Sequence, residues 1–163
     1  MYLIERKKTK KKITDDDFWD FQNELIYWRK ANQIHKFFCD KGEEIKEQIS
    51  YKLKKEDLQE LLDICNRILD EVKTEKGKVS NGYSYEPNED GEFIKKYNYT
   101  DGLIITNPEI CEELLPTQSG FFFGSTDYDE YYLEDIKYTK EKLEQVIDNI
   151  DYDNNDIYYL ASW

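Results

Sequence analysis

The chain has 163 residues, three widely spaced cysteines and a formal net charge of -13. That length buries roughly two-thirds of the unfolded surface in one core, so a single domain over residues 1–163 needs no disulfide. Cys39, Cys65 and Cys111 form no C-x-x-C pair, MYLIERKKTKKK is too basic for a signal peptide, and no apolar run approaches a membrane span; the expectation is a cytoplasmic protein with reduced thiols and no membrane contact.

The charge is uneven. Residues 5–12 carry six Lys/Arg against Glu5, a net +5, which leaves -18 on the remainder. Such a body repels nucleic acid phosphates and excludes sequence-specific nucleic acid binding, whereas docking on a basic protein groove stays open. The basic run itself reads as a solvated arm.

In chain order, MYLIE is β-like. A first long helix is predicted from the acidic cluster Asp15, Asp16 and Asp17, whose carboxylates suit a helix N-terminus. Phe18, Phe21, Leu25, Trp28, Asn32, His35 and Cys39 follow at helical spacing, with Gln22, Arg29, Gln33 and Lys36 on the polar side. Tyr51–Leu53 reads as a short extended piece. Residues 55–73 form a second amphipathic helix, with Leu58, Leu61, Leu62, Cys65, Ile68, Leu69 and Val72 on its inner face.

From Thr74 to Thr106 the N-G and D-G pairs at 81–82, 90–91 and 101–102 punctuate Tyr- and Ile-bearing stretches, which is hairpin grammar, and Pro87 marks an edge or a loop. Asn107 is predicted to cap a short helix with Pro108 at its first position, closed by Pro116. Thr126 to Asp129 resembles a capping box for a third long helix ending near Ile150. IYYLASW is a strand whose natural partner is MYLIE. The fold class expected is α+β, mostly α: three long packed helices, small antiparallel β-hairpin elements and paired terminal strands.

Two constellations carry possible chemistry. In the first, Trp28, Asn32 and His35 share one face of the first helix beside Arg29 and Lys30. His35 is either a core histidine bonded to Asn32 or a loop carbonyl, or part of a set in which Trp28 stacks and Arg29, Lys30, Asn32 and His35 read a polar ligand. In the second, LPTQSGFFFGSTDYDE brackets three phenylalanines with Gly120 and Gly124. Thr117, Gln118, Ser119, Ser125 and Thr126 supply neutral donors and acceptors there, or the segment is a buried strand ended by a capped helix. Alternation of an extended chain points Phe121 and Phe123 one way and Phe122 the other, one set meeting the first helix near Trp28 and His35. Asp127, Asp129 and Glu130, with Glu134 one turn on, offset the helix dipole. They either hold Mg²⁺ or Ca²⁺ or form a solvated helix face, and no metal or cofactor is expected. There is no G-x-S-x-G, H-E-x-x-H or P-loop, so no catalytic set is assigned.

YWRKANQIHKFF, LQELLDICNRIL, LPTQSGFFFGSTDYDEYYLEDIKYT and the closing SW resemble a widespread family of small, uncharacterised tailed-bacteriophage proteins. The blocks span about half the chain, with Phe37 where Trp is usual and Lys54 in place of a Ser-like cap. The resemblance implies a soluble, non-virion protein of the host cytoplasm, and makes residues 74–107 a hairpin-rich insertion of longer members. The function expected is non-catalytic capture of a small polar, phosphate-bearing ligand of nucleotide type, as a counter-defence sponge. The candidate ligand-binding residues are Trp28, Arg29, Lys30, Asn32, His35, Thr117, Gln118, Ser119, Ser125 and Thr126. The alternatives are an acidic inhibitor that blocks a basic groove of a host protein, and an enzyme acting on a phosphorylated substrate. Oligomeric state stays open, a homo-oligomer among the possibilities.

Overall fold

The computed structural model describes residues 1–8, 22–45, 50–120, 123 and 125–161. Among these, seven strands and four helices occur in the order β1 (Tyr2–Lys7), β2 (Gln22–Tyr27), α1 (Asn32–Lys41), β3 (Glu43–Ile45), β4 (Ser50–Leu53), α2 (Lys55–Glu71), β5 (Thr74–Pro87), β6 (Phe93–Ile105), α3 (Glu109–Leu114), α4 (Glu130–Val146) and β7 (Asn155–Leu160). Strand and helix contents are about equal, so the mostly helical, three-helix expectation is corrected to α+β with two antiparallel sheets.

The first predicted helix is where the expectation fails. Residues 22–27 are a strand paired with β1, and the helix begins only at Asn32. Leu25, Ile26 and Trp28 satisfy helical spacing but also suit a strand, and the break between the two elements is made by Arg29 and Lys30. Lys30 adopts φ 64, a left-handed conformation that only glycine adopts freely. No Gly or Pro announces the turn. The predicted start at Asp15, Asp16 and Asp17, with Phe18 and Phe21, lies outside the described residues.

The larger sheet has the order β2-β1-β7-β4-β3. The N-proximal and C-proximal strands do pair, Leu3 opposite Tyr159 and Glu5 opposite Ile157, but β7 is an interior strand that also pairs with β4. Leu3, Ile26, Leu53, Ile157 and Tyr159 are all buried, and they join the apolar faces of the helices in one core. On α2, Leu58, Leu61, Cys65 and Ile68 are buried at helical spacing, and on α4, Tyr132, Ile136, Thr139 and Leu143.

The helix ends differ in detail from their predicted caps. Asp57 closes the start of α2 by accepting from the Lys54 N–H at 2.7 Å. Asp129, not Thr126, caps α4, its Oδ1 accepting from Tyr131 N and Tyr132 N at 2.9 and 3.3 Å. The Asn107 side chain serves the end of α2 rather than α3: Oδ1 accepts from Lys73 N at 2.6 Å and Nδ2 donates to Glu71 O at 3.1 Å.

β5 and β6 form one long hairpin that turns at residues 88–92, with Gly91 at φ 79. The other predicted turn pairs do different jobs. Asn81 and Gly82 form a bulge opposite Asn98, and Asp101-Gly102 lies inside β6. There Gly102 meets α4 so closely that an added Cβ would stand 2.7 Å from Glu130 Oε1 and from Val79 Cγ2.

Candidate functional site

Between α3 and α4 the described residues, 115–120, 123 and 125–129, lie outside helices and named strands, and their backbone is fastened from several sides. Tyr132 Oη donates to Leu115 O at 2.9 Å, and Thr117 N donates to Tyr128 Oη at 3.3 Å. Thr117 Oγ1 donates to Thr126 O at 3.0 Å, drawing the two arms of the loop together. The central fastener is Asn32, the first residue of α1. Its Oδ1 accepts from Gln118 N at 3.1 Å and its Nδ2 donates to Ser125 O at 3.0 Å. One buried amide thus holds both arms of the loop against α1.

Between those arms Phe123 N donates to Gly120 O at 3.2 Å. The Phe123 ring lies over Gly120, where a Cβ would come within 2.5 Å of it, and its centroid is 5.2 Å from the His35 ring. Glycine stands at 120 because the ring occupies the side-chain position. Phe121, Phe122 and Gly124 lie outside the described residues, so the alternation applies here only to Phe123, which does meet His35.

His35 is 5% exposed. Its Nδ1 is 2.8 Å from Tyr159 Oη and its Nε2 is 3.3 Å from Cys39 Sγ. A neutral ring donates through one of these nitrogens and accepts through the other, and a tyrosine hydroxyl and a thiol can each serve either role. Burial holds its pKa down at about 4, the Met1 ammonium adding a smaller push the same way. Tyr159 and Cys39 are thus among its partners, while both polar atoms of the Asn32 amide go to Gln118 and Ser125. Tyr159 and Cys39 are themselves held protonated chiefly by burial.

Trp28 is 1% exposed and points into the core, where its centroid lies 5.6 Å from Phe38 and 6.4 Å from Tyr159. Its Nε1 donates to Thr139 Oγ1 at 2.9 Å. Nor does it share a helical face with Asn32 and His35, because it precedes α1. Next to that bond, buried Gln33 donates to Asp135 Oδ2 at 3.1 Å, and burial raises the Asp135 pKa to about 6 in spite of that donor. Gln33, Asp135, Thr139 and Tyr159 are polar positions that sequence reasoning left out of the site. Only the inward alternation of Ile157, Tyr159 and Ala161 could have signalled the last of them.

The remaining candidates differ in exposure. Arg29 and Lys30 are exposed at the left-handed turn just before Asn32, and Ser119, Ser125 and Thr126 are exposed on the loop. Thr117 and Gln118 are half-buried. Ser125 Oγ accepts from Asp127 N at 3.0 Å. Of the acids, Asp129 is spent as a cap and Glu130 Oε2 accepts from Leu103 N at 2.9 Å. Among the described residues no three His, Cys, Asp or Glu side chains gather as a metal site, and no helix is long and apolar enough to cross a membrane.

Compared with models of known families, with curated proteins and with solved structures, the chain has no match.

Proposed function

We propose that the protein is a non-catalytic binder of a small anionic ligand of nucleotide type, encoded by a tailed phage and acting as a sponge in the infected cell. The observation that carries this reading is the left-handed Arg29–Lys30 turn immediately ahead of the Asn32 clamp. A non-glycine residue in that conformation is costly and is retained chiefly where the surroundings enforce it, often at functional sites. Arg29 and Lys30 supply the positive charge, and the hydroxyls of Ser119, Ser125 and Thr126 supply neutral donors beside it. Trp28, Asn32 and His35 act from beneath, as the scaffold that fixes turn and loop. A neutral His35 engaged by Tyr159 and Cys39 favours binding over proton-transfer chemistry.

Calorimetric titration of the full chain with inorganic phosphate and with a panel of mononucleotides and dinucleotides tests the reading. Binding of at least one nucleotide is expected, weakened about tenfold or more in Arg29→Ala/Lys30→Ala. Absence of binding across the panel, or binding indifferent to that double substitution, refutes it.

A second reading is favoured by the outer face of α2. Glu56, Glu60 and Asp63 border a depression of about 380 Å³ together with Gln59, Ile64, Arg67 and Leu114. A basic groove on a host protein would match that acidic surface, and its affinity would fall steeply with salt, whereas a nucleotide held at the Arg29–Lys30 turn would lose much less.

A further inference from the structure

The β5–β6 hairpin exposes more apolar surface than a soluble ribbon needs. Its strand register places Tyr99, Tyr97 and Tyr83, Tyr85 and Lys95, and Phe93 and Pro87 on one face, continued toward the base by Asp101, Lys78, Leu103 and Lys76. Phe93 is 72% exposed, Tyr99 63% and Tyr85 60%. Lys95 Nζ lies 4.0 Å from the centroid of Tyr83 and 4.7 Å from that of Tyr97, which fixes their common side. Toward the base the opposite face turns Val79 and Gly102 onto the body; nearer the tip both faces are open, Ile94 on that opposite face being 51% exposed, but the aromatic side chains gather on one of them. An isolated two-stranded ribbon is marginal in water, and an apolar stripe of this kind marks a contact surface.

The outer edge of β6 says what the contact is. Leu103 N donates outward to Glu130 Oε2 and Ile105 N outward to Tyr128 O. The bulge sits on β5, so β6 keeps its alternation, and the N–H and C=O groups of Phe93, Lys95, Tyr97, Tyr99 and Asp101 point the same way. Among the described residues no strand pairs with that stretch. Neither proline nor bulge protects it.

The sequence of that edge is complementary to itself. We propose that the protein is a two-fold symmetric dimer, joined by antiparallel pairing of β6 with β6 of a second copy about Asn98, so that two hairpins become one four-stranded sheet. In this register Tyr97 lies opposite Tyr99 of the second copy and Lys95 opposite its Asp101, each pair occurring twice by symmetry, and the ladder ends there because Glu130 Oε2 already takes Leu103 N. Sliding by two residues one way sets Phe93 against Asp101 and Lys95 against Tyr99. Sliding the other way sets Lys95 against Leu103 and Tyr97 against Asp101. Both lose the charge match, and a one-residue slip turns the aromatic face over, so the register is specified. Self-repulsion between acidic bodies does not prevent this. Asn98 lies about 24 Å along the strand from Ile105, so the two hairpin bases stand about 48 Å apart, several screening lengths in physiological salt.

Sedimentation equilibrium on the reduced full chain, from about 1 μM to about 0.1 mM, is expected to give a mass twice the 19.7 kDa of one chain. Lys95→Asp and Asp101→Lys should each raise the dimer dissociation constant about tenfold or more, and the combined charge reversal should restore it. Asn98→Cys should form a symmetric disulfide on mild oxidation, since its two-fold mate sits at non-hydrogen-bonded distance. Wild type, whose own cysteines are buried or half-buried, should form none. A single-chain mass at the highest concentration overturns the proposal, whether or not that monomer then binds an oligo(dT) probe or another protein through its aromatic face. So does a dimer indifferent to both single reversals, or one that the double reversal fails to rescue while every variant melts as wild type.

Discussion

Removing the Asn32 amide tests the assembly of the loop most directly. In Asn32→Ala two hydrogen bonds vanish, one from Gln118 N and one to Ser125 O. Each is worth about 1 kcal/mol net, and leaving the partners unsatisfied adds to that. Ser125 is exposed and Gln118 half-buried, so water recovers part of the loss. The expected cost is about 2–3 kcal/mol, a fall in melting temperature of roughly 5–10 °C for a chain of this size. Scanning calorimetry measures the total, and amide hydrogen exchange at Gln118 assigns it. Asn32→Asp sharpens the test, because a carboxylate still accepts from Gln118 N but faces the Ser125 carbonyl with a second acceptor. Protection at Gln118 should therefore survive in the aspartate variant and disappear in the alanine variant. If Asn32→Ala melted within about 1 °C of wild type with Gln118 still protected, the loop would be held by something other than this amide.

The pKa of His35, lowered to about 4 from 6.5, gives it a share of stability present above about pH 6.5 and lost as pH falls through about 4. Urea unfolding between those values should register up to about 3 kcal/mol of that loss, and His35→Gln should flatten it. Asp135 works in the opposite sense. Its pKa is raised to about 6 from 3.8, so its contribution is full below 3.8 and lost as pH rises through about 6. Asp135→Asn, which can still accept from Gln33, is expected to stabilise by up to about 3 kcal/mol at pH 7 and by little at pH 3.5 in the same assay. Leu61→Ala should cost about 2–5 kcal/mol by denaturant melt because Leu61 is fully buried on α2, while Glu60→Ala on the exposed side should change little.

Reading the sequence forward worked where one periodicity excluded the other. α2 is helical in its charges and in its leucines alike, and the two β-like ends find each other because Leu3, Ile157 and Tyr159 are apolar and β-forming. It failed at residues 22–28, where the same apolar residues fit either period and the deciding fact is a backbone turn made by a lysine. The site was partly legible. Asn32 and the 117–126 loop do converge, but the polar atoms of Trp28 and His35 meet Thr139 and Tyr159, residues more than a hundred positions away that no local spacing can indicate. Gly102 was misread for a related reason. Its demand for space comes from Glu130 on α4 and not from a turn of its own strand.

The position of β7 has a consequence for biosynthesis. The strand at Asn155–Leu160 lies between β1 and β4, yet a ribosome makes both of those neighbours long before it. Until residues 155–160 clear the exit tunnel, β1 and β4 have no common partner, and each presents the edge that β7 will fill. α2 emerges early with its leucine face uncovered. Contacts spanning the whole chain close slowly, because the entropy of the intervening loop is lost before the pairing rewards it. The nascent protein is therefore a set of unfinished edges for most of its synthesis, and a chain terminated before Asn155 keeps them permanently, as templates for aggregation rather than as a smaller version of the fold.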